Sequence, residues 1–123
     1  MTEKVKTYKD LMVWQKALDI VSELYIVTRS FPKEEVYGLT SQMRRSAVSV
    51  ASNIAEGRRR GTRKEFKKIL QIAFGSGAEL ETQIIIAKRL TFDKKINYDS
   101  LELLLDEVMR MLNRMISTLQ ATS

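Results

Sequence analysis

The chain has 123 residues, a formal net charge of +6 and 44% hydrophobic residues, with neither cysteine nor histidine. That length sets one domain, residues 1–123, with room for a packed core. Without those two residue types the chain has no disulfide, no thiolate metal site and no histidine for acid–base or zinc chemistry, and no cofactor is expected.

The opening stretch MTEKVKTYKD is polar and carries no signal-peptide core. No apolar run approaches the roughly 20 residues that a membrane helix needs. A soluble, cytoplasmic protein with no membrane partner is therefore expected. In LMVWQKALDIVSELYIVT the positions Trp14, Ala17, Leu18, Val21, Leu24, Tyr25 and Thr28 recur every three or four residues, which predicts an amphipathic helix over about 10–29. Pro32 stops it and restricts Phe31 before it. A second helix is predicted over about 39–59, with Met43, Ala47, Val50 and Ile54 on its apolar face and many Ser and Ala residues elsewhere that permit close helix approach.

Gly57 and Gly61 bracket Arg58, Arg59 and Arg60 and supply a turn. Thr62 with Glu65 three residues later has the form of a capping box, so the third helix starts at Arg63 and runs to about Leu90. Its inner line is Phe66, Ile69, Leu70, Ala73, Gly77, Leu80, Ile84 and Ala87, and Gly75 and Gly77 read as close-packing points. The segment TFDKKIN is a loop in which Asn97 caps the fourth helix, about 98–119, which buries Leu101, Leu105, Val108, Leu112, Met115 and Leu119. Four long helices with short links predict an all-α, up-down-up-down antiparallel four-helix bundle.

The runs Ile84–Ile86 and Leu103–Leu105 each sweep about 200° of helix surface, wider than one core face. Either the flank of each run rests under a neighbouring helix of the same bundle, or it forms a subunit interface. The charge is also unevenly placed. From Arg44 to Lys68 nine basic residues face two acidic ones, a net +7 that leaves −1 for the rest of the chain. Charge concentrated in this way points to an anionic partner.

Several residues admit two readings. Gln42, Arg45, Ser49, Ser52 and Glu56 form a polar stripe on the second helix, with Ser76 and Glu79 on the third. Glu56 and Glu79 are either a carboxylate pair for acid–base or metal work, or members of a structural network with Arg45 or Arg44; the network is the reading adopted, because a third ligand is missing and arginines compete with a cation. Trp14 is read as core because it lies on an apolar line, with base stacking as the alternative. The run Arg58, Arg59, Arg60, Arg63, Lys64, Lys67 and Lys68 is either a solvated turn or a grip on phosphate. Two facts favour the grip. Arg63 and Lys64 occupy the first turn of a helix, where cations oppose the dipole unless an anion joins them. Arginine's planar fork also suits phosphate. No aromatic interrupts the run, so binding to the RNA or DNA backbone without sequence preference is expected.

The stretches LMVWQKALDIVSELY, FPKEEVYGLTSQMRRSAVSVASNIAEG and EFKKILQIAFGSGAELETQI resemble the bacterial four-helix bundle family of 23S rRNA-intervening-sequence proteins, a fold shared with the accessory variability proteins of diversity-generating retroelements. The likeness runs from about Tyr8 to Leu119. It implies a ring-shaped homo-oligomer, a pentamer, with a basic surface and a nucleic-acid-linked role without catalysis. In the retroelement branch it implies a protein–protein adaptor, an accessory subunit of a reverse transcriptase. Two positions depart from the family pattern. Ala51 stands where a proline is frequent, and Phe74 stands where an arginine is frequent, which moves that turn from phosphate binding toward a protein contact.

Overall fold

The computed structural model describes residues 7–90, 92 and 95–121. Four α-helices account for most of them: α1 (Met12–Thr28), α2 (Leu39–Arg59), α3 (Arg63–Leu90) and α4 (Asp99–Ala121). Among the described residues there is no strand. Residues 1–6 of the polar opening stretch, and residues 91, 93 and 94 of the predicted loop, lie outside the described residues. No helix among the described residues is long and apolar enough to cross a membrane.

Local chemistry sets the helix ends. α1 begins at Met12, two residues later than the periodicity predicts, because Asp10 is drawn into a short 3-10 turn, Tyr8–Asp10. There the Asp10 carboxylate accepts from the Thr7 N–H at 3.1 Å and the Thr7 hydroxyl accepts from the Lys9 N–H at 3.2 Å. At the far end of α1 the Thr28 hydroxyl donates to the Leu24 carbonyl at 2.8 Å, and Pro32 follows. Gly38 precedes α2 and has no side chain to cap it, so Glu35 reaches forward and accepts from the Leu39 N–H at 3.1 Å. Asn97 accepts from the Asp99 N–H at 2.8 Å and starts α4.

Contacts between helices pair early positions with late ones. Lys16 of α1 meets Glu107 of α4, and Glu23, about two turns further along α1, meets Ser100 near the start of α4. Ser49 of α2 meets Ser76 of α3, whereas Gly57 later in α2 lies against Ile69 and Phe66 earlier in α3. Neighbouring helices thus run antiparallel, and α1 also packs on α4, which closes a four-helix bundle.

The core is built from Val13, Ala17, Ile20, Leu24 and Val27 of α1, Met43, Ala47, Val50 and Ile54 of α2, the inner line of α3, and Leu101, Leu105, Val108 and Leu112 of α4. The faces of α2, α3 and α4 agree with their periodicity, apart from Phe66, Met115 and Leu119, which pack half-buried at the bundle's edge. The face of α1 does not. The expected line is rotated: Trp14 and Val21 are half-buried, and Leu18 and Tyr25 are 40% and 39% exposed. α1 carries apolar residues on more than one side, so a 3-4 spacing fits more than one stripe.

The glycines divide by role. Gly61, at φ +84°, makes the turn between α2 and α3. Gly57 does not turn the chain: it lies inside α2, where a Cβ would come within 3.1 Å of Phe66, so it brings α2 close to α3. Gly77 plays the same part against Met109 of α4. Gly75 is exposed with nothing within 4 Å of its Cβ position, and so is not a packing point in this fold.

Candidate nucleic-acid interface

α2 stays helical through Arg59, Arg60 follows it, and Gly61 reverses the chain into α3. The Thr62 hydroxyl accepts from the Glu65 N–H at 3.2 Å and so holds the first turn of α3. Arg58, Arg59 and Arg60 therefore leave the end of one helix, and Arg63, Lys64, Lys67 and Lys68 the start of the next. Arg63 with Lys67 and Lys64 with Lys68 are separated by four residues, so they stand in two adjacent rows along α3.

The seven basic residues do not form one cluster. Arg63, Lys64 and Lys67 line a hollow of about 250 Å³ that Leu119 of α4 completes. Beside it, Arg63 and Phe66 line a second hollow of about 290 Å³ with Arg114, Met115, Thr118 and Leu119 of α4. Arg114 thus joins the patch from a different helix. The sequence run held no sign of it, because only the return of α4 along α3 brings it there. Arg59 faces the other way, with its guanidinium carbon 5.9 Å from the Tyr8 ring centroid. Tyr8 in turn meets Trp14 edge to face, with ring centroids 5.2 Å apart at 71°. An aromatic pair therefore stands next to the basic run although none interrupts it in sequence. Arg58 is half-buried and Lys68 exposed.

Arg60 is committed to Glu56, one turn earlier on α2, at 2.7 Å. That hydrogen bond, with the Glu56 charge, pushes the Arg60 guanidinium further above its ordinary range. Arg45 and Glu79 are exposed on α2 and α3, and among the described residues no ion pair joins either one to Glu56. The polar link across this seam is made by smaller groups. The Ser49 and Ser76 hydroxyls lie 2.8 Å apart, and the Asn53 amide donates to the Ser49 carbonyl and hydroxyl at 2.8 and 2.9 Å. Arg44 turns toward α1 instead, donating to the Thr28 hydroxyl at 3.0 Å and stacking over Tyr25 at 4.2 Å. Among the described residues no group of three or more Asp and Glu side chains is placed to hold a metal ion.

The wide apolar runs are only partly covered. Ile84 and Leu105 are buried, whereas Ile85, Ile86 and Leu103 are 53%, 42% and 72% exposed, so no helix of the same bundle shelters them. Phe74 is half-buried against the core and does not project as a free contact.

The family model for the 23S rRNA-intervening sequence protein matches residues 9–114. No curated protein matches the chain. Among solved structures, a protein of unknown function from the S23 ribosomal protein family of Bacteroides thetaiotaomicron VPI-5482 superposes with a TM-score of 0.76 at 22% identity, over 85% of this chain and 95% of that one. At that identity the likeness speaks for the fold alone.

Proposed function

We propose that this chain, which belongs to the 23S rRNA-intervening sequence protein family, is a non-enzymatic protein that binds the phosphate backbone of RNA or DNA through the basic end of its bundle. The observation that carries the reading is the meeting of Arg63, Lys64 and Lys67 of α3 with Arg114 of α4 around two open hollows at one end of the molecule. Cations from two helices there face solvent beside the positive end of the α3 dipole. Each phosphate they neutralise releases a condensed counterion, which drives binding without reading sequence. The chain's residue content favours a binder over a catalyst: it has no histidine or cysteine, and the Glu56 carboxylate is already engaged by Arg60.

The assembly in this proposal is a cytoplasmic, ring-shaped homo-oligomer, a pentamer by family resemblance. Exposed Ile85, Ile86 and Leu103 support it, since large apolar side chains left open on a bundle surface mark contacts. A ring repeats the basic end around its axis, and the fields of the copies add. The same apolar side chains also favour a second reading, an adaptor that meets another protein such as a reverse transcriptase.

Purification of the tagged chain from its native cell at low salt tests the proposal. RNA or DNA that co-purifies with the parent, and is lost when Arg63, Lys64, Lys67 and Arg114 are changed to Ser, is the expected result. A protein partner in stoichiometric amount with no nucleic acid would establish the adaptor instead.

A further inference from the structure

We infer that the groove between α1 and α2 beside Arg59 accepts an unpaired nucleobase, so that the basic end prefers single-stranded RNA or DNA to duplex. The inference rests on the nucleic-acid reading above and narrows it. The groove holds about 280 Å³ and is almost wholly apolar. Trp14 and Leu18 line it from α1, Val48 and Ala55 from α2, Tyr8 stands at one end, and Ser52 adds a hydroxyl. Leu18 and Val48 are 40% and 42% exposed, and Tyr8 and Trp14 only half-buried, so apolar surface and parts of two aromatic rings stay open to solvent.

Charge identifies the occupant. Val48, Ser52, Ala55 and Arg59 follow a 4-3-4 spacing, so Arg59 ends the row of α2 that lines the groove. Its guanidinium lies over Tyr8. An apolar slot with an aromatic end wall and an arginine at its lip matches a nucleotide, which joins a flat π-face to an anionic phosphate. A duplex keeps its base faces stacked inside and offers only edges in its grooves, so the slot is useful to a single strand alone. Tyr8 reaches this position through a side-chain-capped 3-10 turn that holds the backbone carrying the ring, and the ring itself rests edge to face on Trp14.

The test uses a fluorescently labelled oligouridylate, its DNA counterpart oligothymidylate, and a duplex of the same length, followed by anisotropy at low salt. Emission from Trp14, the only tryptophan, is read in parallel with unlabelled strands. The inference expects tighter binding of both single strands than of duplex and a saturable change in Trp14 emission with single strands only. It also expects Tyr8→Ala to weaken single-strand binding by roughly five- to hundredfold, the range that stacking of one base corresponds to, and to abolish the preference over duplex. Tyr8→Phe, which keeps the ring, should restore that preference. Helical circular dichroism checks that each variant is folded. Equal binding of single strand and duplex with Trp14 unchanged would overturn this inference and leave the backbone-binding reading standing. Binding of neither would overturn both. A Trp14 change that follows protein concentration without oligonucleotide would show a second copy in the groove and overturn the inference as well.

Discussion

Arg60 donates to the Glu56 carboxylate at 2.7 Å, so one of three consecutive arginines already holds an anion. The pair is exposed and its geometry is the ordinary four-residue spacing on a helix, so its effect is on charge and not on the fold. Glu56→Gln should release Arg60 and remove a negative charge from the patch, raising affinity for a nucleic-acid strand by about two- to fivefold at low salt, with the gain shrinking as salt is added. Thermal unfolding of the variant should match the parent. A fall in affinity would mean that Arg60 must be held by Glu56 to bind.

Gly75 and Gly77 provide a paired test of the packing. Ala in place of exposed Gly75 meets no atom and improves helix propensity, so Gly75→Ala should stabilise the protein by about 0.5–1 kcal/mol. At Gly77 the new methyl would overlap the Met109 side chain, which is buried and would have to repack among its neighbours. Gly77→Ala should destabilise by about 1–3 kcal/mol despite the same propensity gain. Urea unfolding of both variants measures the difference, and equal effects would contradict the close α3–α4 approach.

The fold was legible in the sequence where side chains punctuate it. Thr62 with Glu65 marks the start of α3, Asn97 that of α4, and Pro32 the stop after α1; each is a local signal, and each acts as read. The buried face of α1 is rotated from the expected line because Val13, Ile20 and Val27 compete with Trp14, Leu18 and Tyr25 for the same spacing, and only packing against α2 and α4 selects between them. The basic run itself was visible as charge density. Its partners were not: Arg114 arrives with the return of α4, and Tyr8 meets Arg59 only because α1 and α2 lie antiparallel. The Glu56–Arg60 pair is a four-residue helical spacing, open to inspection in the sequence, whereas the polar link between α2 and α3 is made by the Ser49 and Ser76 hydroxyls and not by Glu56.

Exposed Ile85 and Leu103 should govern assembly. Light scattering on the parent at micromolar concentration should give about five chain masses, and Ile85→Glu with Leu103→Glu should lower that mass while leaving the helical signal intact. A parent that is a stable monomer would contradict the ring. Another closed ring would change only the subunit number.

Tyr98 sets one pH response. Burial raises the pKa of its hydroxyl above the ordinary phenol value. A phenol with a raised folded pKa contributes stability that is present below about pH 10 and lost as pH rises through the folded value. Above about pH 10 the urea midpoint should therefore fall more steeply for the parent than for Tyr98→Phe; lysine titration is common to both proteins and drops out of the difference. Parallel curves would mean that the hydroxyl is solvated in the folded state.

If Arg63, Lys64, Lys67 and Arg114 grip phosphate at the basic end of the bundle, the salt dependence of binding reports it. Fluorescence anisotropy with labelled single strand and duplex over a salt series should show log affinity falling linearly with log salt, by about 0.9 per duplex phosphate neutralised. Arg63→Ser, Lys64→Ser, Lys67→Ser and Arg114→Ser together should weaken binding to unrelated sequences alike and flatten that slope. Helix content should be unchanged, since none of the four belongs to the core. A quadruple variant that keeps the parent's affinity and slope would contradict the proposed grip and leave the basic end as a solvated surface.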